Sequence, residues 1–121
     1  MAIIESVTPI LRVENLAASR RYYIERLGFS LDWEVEGMIS VSRDNQSIML
    51  CQGEQGQPGT WLWIGVDDAD AMFAEFRAKG AHIRRPPEDF YWAREFEVED
   101  PDGHVLRIGS EPKAPADAGK S

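Results

Sequence analysis

The sequence predicts an α+β domain made of two tandem βαβββ modules whose strands curl into one cup-shaped sheet. Three observations carry that prediction. Stretches of period-two alternation recur along the chain, and a helical stripe interrupts them at the matching place in each half. A break rich in glycine and proline, "GEQGQPG" at 53–59, separates the halves. At 121 residues the chain suits one domain with a real core, and 43% hydrophobic against 28% charged residues is an ordinary globular balance.

The first module spans about 4–52. "ESVTPILRV" (5–13) is β-branched and apolar and reads as a strand. Asn15 offers a side-chain acceptor to cap a helix over about Leu16–Leu27, in which Leu16, Tyr23 and Leu27 share a face. Gly28 follows where a left-handed C-cap is expected. "FSLDWEV" (29–35) alternates, which predicts Phe29, Leu31, Trp33 and Val35 on one side. "MISVSR" (38–43) and "SIMLC" (47–51) are the next strands, joined by the turn residues of "RDNQ".

After the flexible linker expected at 53–59 the order repeats over about 60–110. "TWLWIGV" (60–66) is a strand, and Asp67 or Asp68 caps a helix whose Ala69, Met72, Phe73 and Phe76 form an apolar stripe. Gly80 ends that helix. "AHIRR" (81–85) is a strand that Pro86-Pro87 should stop. "AREFEVE" (93–99) alternates Arg94, Phe96 and Val98 against Glu95, Glu97 and Glu99. "DPDG" is a type I turn and "HVLRIG" (104–109) the last strand. The tail 111–121, small, polar and proline-bearing, is expected to be disordered outside the 1–110 domain.

Composition narrows the function. A net charge of −8 repels nucleic acid and anionic lipid while drawing in cations, so neither nucleic acid nor membrane is expected as a partner. No apolar run of about 18 residues is present, and "MAIIESVTP" lacks the basic start of a signal peptide. The single Cys51 can form no internal disulfide, which fits a cytoplasmic protein. Neither a Ser-His-Asp nor a Cys-His arrangement stands out, so no catalytic residue is assigned. Asp67, Asp68 and Asp70 read as helix-capping residues, and His104 as a solvated turn histidine.

Both halves, over about 4–110, resemble the vicinal oxygen chelate superfamily of glyoxalases, extradiol dioxygenases, fosfomycin-modifying enzymes and bleomycin-binding proteins. "VTPILRVENLAASRRYYIERLGFSLDW" is similar to that family's first strand, helix and second strand, and "DPDGHVLRI" to its closing hairpin. "WAREFEVEDPDGH" (92–104) resembles the bleomycin resistance branch, in which a Trp–small–Arg–Glu–Phe strand leads into an Asp-Pro-X-Gly turn. That likeness implies a homodimer, with Pro9 where an N-terminal arm bends across to the partner.

Metal-using members of the superfamily place His, Gln or Glu at four strand positions. Here those positions hold Thr8, Met49, Trp61 and Arg107. None is an imidazole or carboxylate, and arginine stays protonated, so no metal and no cofactor are expected.

The resemblance then points to a binding groove. Trp61 and Trp63 lie two apart in one strand and face one side. Trp33, Trp92 and Met38 match rim positions of the bleomycin-binding branch, and Asp32 matches an acidic residue there. Met49, Cys51, Arg94 and Arg107 complete the expected lining. Arg94 and Glu95 must point to opposite faces; if Trp92 faces the groove then Arg94 is expected there too, with a structural ion pair as the alternative for Arg94. Gly65 departs from the branch, which carries a second aromatic there. The implied function is metal-independent sequestration of a flat, cationic antibiotic of bleomycin type. The alternative is a glyoxalase-like lyase or dioxygenase.

Overall fold

The computed structural model describes residues 2–112 and divides the chain into two compact units, the first up to Pro58 and the second from Gly59. Residues 113–121, most of the tail expected to be disordered, lie outside the described residues. Each unit carries one helical segment and four strands, and together they give the α+β fold of two tandem βαβββ modules.

In the first unit the elements are β1 (Ile10–Arg12), α1 (Leu16–Arg21), β2 (Ser30–Val35), β3 (Met38–Arg43) and β4 (Gln46–Cys51). The strand order is β1-β4-β3-β2, with β1 parallel to β4 and the other pairs antiparallel. The Asn15 side chain accepts from the Ala18 N–H at 3.0 Å and starts α1 as expected. The helix does not stay α-helical to Leu27. It widens into a π-helical turn over Tyr22–Arg26 that ends at Gly28 with φ 76°. Tyr23 and Leu27 are nonetheless buried, with Leu11, Ile39, Val41, Ile48 and Leu50.

Three expectations change here. β1 is shorter than 5–13, because only Ile10–Arg12 pairs with Met49–Cys51. Upstream, Ile3, Ile4 and Val7 are exposed. The alternation through β2 also breaks. Leu31 pairs with Val41 on the core side, but Trp33 pairs with Ser40 on the opposite side, so Asp32 is an extra residue in a β-bulge. Leu31 and Trp33 therefore face opposite ways. The break at 53–59 is not a free linker either. Gly56 (φ 86°) packs so closely on β1 that a Cβ there would sit 2.8 Å from the Ile10 carbonyl oxygen.

The second unit repeats the plan with β5 (Trp61–Gly65), α2 (Ala69–Ala78), β6 (His82–Asp89), β7 (Arg94–Glu99) and β8 (Val105–Ser110), in the order β5-β8-β7-β6. The Asp68 side chain caps α2 by accepting from the Ala71 N–H at 3.0 Å. Phe73 and Phe76 meet Phe96 edge-to-face at 5.5 and 6.2 Å, and Ala69, Val98, Leu106 and Ile108 are buried with Phe76 and Phe96.

β6 overturns one expectation, since it runs through Pro86 and Pro87 to Asp89. It is the edge strand, and its register slips between Arg85 and Glu88, so the missing proline N–H groups leave no ladder bond unmade. A second slip, between Ile83 and Arg85, bulges out Arg84.

His104 is not solvated. It is fully buried, and its Nδ1 accepts from the Thr60 N–H at 2.9 Å, joining the last hairpin to the start of β5. Asp100 shapes the turn before it, because its Oδ1 accepts from the backbone N–H groups of Asp102 and His104, both at 2.9 Å.

Candidate ligand-binding site

Each sheet has a core face and an open face, and register assigns residues to them, because paired residues on neighbouring strands point the same way. On the first unit's open face lie Met38, Ser40 and Ser42 of β3, Met49 and Cys51 of β4, and Asp32 and Trp33 of β2. The bulge brings Asp32 and Trp33 to this side together. The Asp32 carboxylate accepts from the hydroxyls of Ser40 at 3.0 Å and Ser42 at 2.6 Å, and Trp33 is 40% exposed beside it. Cys51 is the one expected lining residue that is buried, with Gly53 packed near its Sγ.

The second unit's open face carries Trp61 and Trp63 of β5, Glu95, Glu97 and Glu99 of β7, and Arg107 of β8. Its centre is Glu95, only 4% exposed. Oε2 accepts from the indole N–H groups of both Trp63 and Trp92, each at 2.9 Å. Oε1 accepts from Nε of Arg107 at 2.7 Å. Burial alone would raise the Glu95 carboxyl, but the hydrogen bonds from Trp63, Arg107 and Trp92, with the Arg107 charge, together hold it below its ordinary value. A carboxylate meeting three donors is satisfied only when ionised.

These bonds fix two indoles by their edges. The Trp63 ring lies against the sheet where neither Gly65 nor Gly109 has a side chain. A Cβ on Gly65 would come within 2.9 Å of that ring, and one on Gly109 within 2.8 Å. Gly65 is thus no vacancy in the aromatic surface, because the Trp63 ring covers it. Trp92 stacks on Phe90 at 4.8 Å with an interplanar angle of 14°. Each ring is backed on one side by protein yet remains about half exposed, 54% for Trp63 and 48% for Trp92. Trp61, 52% exposed, has the Arg84 guanidinium 5.0 Å from its ring centre, and Arg84 is also bonded to Glu97.

Arg94 requires a correction. It does not share a side with Trp92. Its Nε donates to Asp70 at 3.0 and 3.1 Å and its Nη1 to Asp89 at 2.9 Å, and hydrogen bonds to Asp70 first, then Asp89, raise its pKa. Arg94 therefore ties β7 to the first turn of α2 and to the end of β6. The expectation failed because Trp92 precedes β7, in a turn closed by mutual Phe90 and Ala93 backbone bonds, where strand alternation does not hold. Glu95, which the sequence reading sets opposite Arg94 without assigning it to the lining, is the residue that organises the site. The signal for it was present, since Arg94 has the parity of Phe96 and Val98, which must face the core.

The superfamily's metal positions do not fit a metal here. Met49 is a thioether, Trp61 an indole, and Arg107 a cation bonded to Glu95. Among the described residues no group of three His, Cys, Asp or Glu side chains could hold an ion.

The architecture has many relatives among solved structures. TnmS3, an antibiotic binding protein from Streptomyces sp. CB03234, superposes with TM-score 0.77 at 25% identity, over 92% of this chain and 98% of that one. The bleomycin-binding protein of Streptomyces verticillus, complexed with copper(II)-bleomycin, gives TM-score 0.79 at 22% identity, over 91% and 98%. A bleomycin resistance determinant encoded on transposon Tn5 gives 0.77 at 21%, over 89% and 98%. No curated protein matches significantly. Residues 3–108 match the family model described as Glyoxalase/Bleomycin resistance protein/Dioxygenase superfamily, and with nearly the whole chain so covered, the protein belongs to that superfamily.

Proposed function

We propose that this protein binds and sequesters a flat aromatic small molecule, in the manner of a bleomycin-type antibiotic resistance protein, and does so without a metal. The observation that carries this reading is the pair of indoles held edge-on by Glu95, each backed on one side and about half exposed. Exposed indoles normally incur a solvation cost; held rigid, they offer stacking surface with little ordering entropy left to lose on binding. The likeness to an antibiotic binding protein supports the same reading.

On the first unit's open face a positively charged ligand is favoured, by the net charge of −8 and by Asp32 beside Trp33. A cytoplasmic homodimer with exchanged N-terminal arms is the proposed assembly. Ile3, Ile4 and Val7 lie exposed ahead of Pro9, whose carbonyl accepts from the Met49 N–H at 2.9 Å, so the arm leaves the sheet at that residue. No described helix is long and apolar enough to cross a membrane.

Thermal shift with a panel of flat antibiotics, bleomycin included, tests the proposal. A ligand at about 100 times its Kd should stabilise the native state by about 2.7 kcal/mol. A panel without a single shift, together with stoichiometric uptake of a divalent ion and turnover of a glyoxalase-type substrate, would replace binding with the enzyme reading.

A further inference from the structure

Arg84 and Arg107 both stand on the second unit's open face, and they are not equivalent. Arg84 is engaged three times, by Glu97, by Glu99 at 3.8 Å and by the face of Trp61. Arg107 is engaged once. Its Nε donates to Glu95, while its two Nη groups have no protein partner among the described residues, and its side chain is 37% exposed. By register it stands between Trp63 on β5 and Glu97 on β7, and Glu97 is already bonded to Arg84.

The bond to Glu95 does more than neutralise. A planar guanidinium held by Nε to a buried carboxylate loses its freedom to rotate, so its outer N–H groups are presented in a fixed direction. The same carboxylate fixes the Trp63 ring. Strands in a sheet run about 4.8 Å apart, so a stacking surface and an oriented pair of donors lie side by side, preset by one buried anion.

We propose that Arg107 makes this face selective for a planar aromatic ligand with an anionic oxygen at its edge, a carboxylate or a phenolate. The inference rests on the aromatic-binding reading above and adds the chemistry of the ligand's edge. It runs against the overall field of the chain. That field is screened beyond about 8 Å at physiological salt, whereas a hydrogen-bonded ion pair at contact distance is screened little, so the local group decides.

The test uses the intact protein and two probes of the same ring system, naphthoate and naphthylmethylammonium, titrated by tryptophan fluorescence at physiological salt. The expected result is naphthoate binding at least tenfold more tightly. Arg107→Met should abolish that preference and Trp63→Phe should weaken both probes. Because Arg107→Met leaves Glu95 one donor short, Arg107→Lys is measured beside it. Lysine keeps the charge but not the planar fork, so the preference should fall without reversing, with circular dichroism reporting the fold. Naphthylmethylammonium binding as tightly as naphthoate, or a preference that survives Arg107→Met, overturns the inference while leaving an aromatic-binding site in place. Binding of neither probe overturns both.

Discussion

Gly109→Ala is the substitution on which the site's geometry can be tested with its sign in doubt beforehand. Gly109 lies within β8 and is not among the glycines with positive φ, so alanine suits its backbone. On that ground alone the change should stabilise by about 0.4–1 kcal/mol through the unfolded chain. The structure predicts the reverse. The new Cβ would stand 2.8 Å from Cζ2 of Trp63 and 3.1 Å from Cγ of Glu95, the first closer than real contacts allow. The indole must lift, and its 2.9 Å bond to Glu95 then stretches or breaks. Overpacking costs about 1–3 kcal/mol, and a lost bond to a buried charged acceptor costs a similar amount. Not all of both is lost at once, so a net destabilisation of about 1–3 kcal/mol is expected, or roughly 4–12 °C in Tm at about 4 °C per kcal/mol. Thermal melts followed by circular dichroism give the Tm, and the tryptophan emission maximum should move to the red. The control is the same substitution in a Trp63→Ala background, where the obstacle is gone and the change should become neutral or stabilising. A raised Tm with unchanged emission in the parent background would mean that the ring does not lie over Gly109.

Other outcomes follow from the same contacts. Glu95 has a folded-state pKa below its unfolded value of 4.5, so its contribution is fully present above that value and is lost as pH falls through the folded pKa. Urea melts of the parent and of Glu95→Gln should therefore differ most near neutrality and converge as the pH falls below 4.5; a gap that widens on acidification contradicts the assigned ionisation. Arg94→Met removes the partner of Asp70 and Asp89 and should lower Tm while leaving the affinity of a confirmed ligand within about twofold, as isothermal titration would report. Dialysis against a chelator should alter neither Tm nor ligand binding. Sedimentation should give a dimer at micromolar concentration, and a 13.7 kDa species alone would remove the arm-exchange proposal.

What could be read from the sequence was whatever is encoded locally. β3 and β4 fall where alternation and the Asp44-Asn45 turn put them, and that turn has the left-handed φ values, 51° and 66°, that those residue types tolerate. Asn15 and Asp68 cap the expected helices for the same reason. The bulges were not legible. "FSLDWEV" alternates without a break as text, and only pairing with β3 shows that Asp32 is supernumerary. The prolines of β6 misled because a strand's tolerance for them depends on whether it lies at an edge, which is a property of the sheet. The hub at Glu95 was hidden by distance, since its partner Trp63 lies 32 residues away. Buried, ionised and hydrogen-bonded on both oxygens, Glu95 violates the expectation that a strand glutamate alternating with core residues points into water.

The two modules share one topology and one irregularity, and this is where their chemistry diverges. The antiparallel edge strand of each sheet slips by one residue at corresponding places, between Leu31 and Trp33 in β2 and between Ile83 and Arg85 in β6. A bulge turns the extra side chain onto the open face, and the chain has put an acid at one and a base at the other. Asp32 is held by two hydroxyls, neutral partners that leave its charge uncompensated. Arg84 is held by Glu97, by Glu99 and by an indole, and with Arg107 it meets all three glutamates on its face. The repeat therefore supplies two aromatic faces of unlike polarity from one fold.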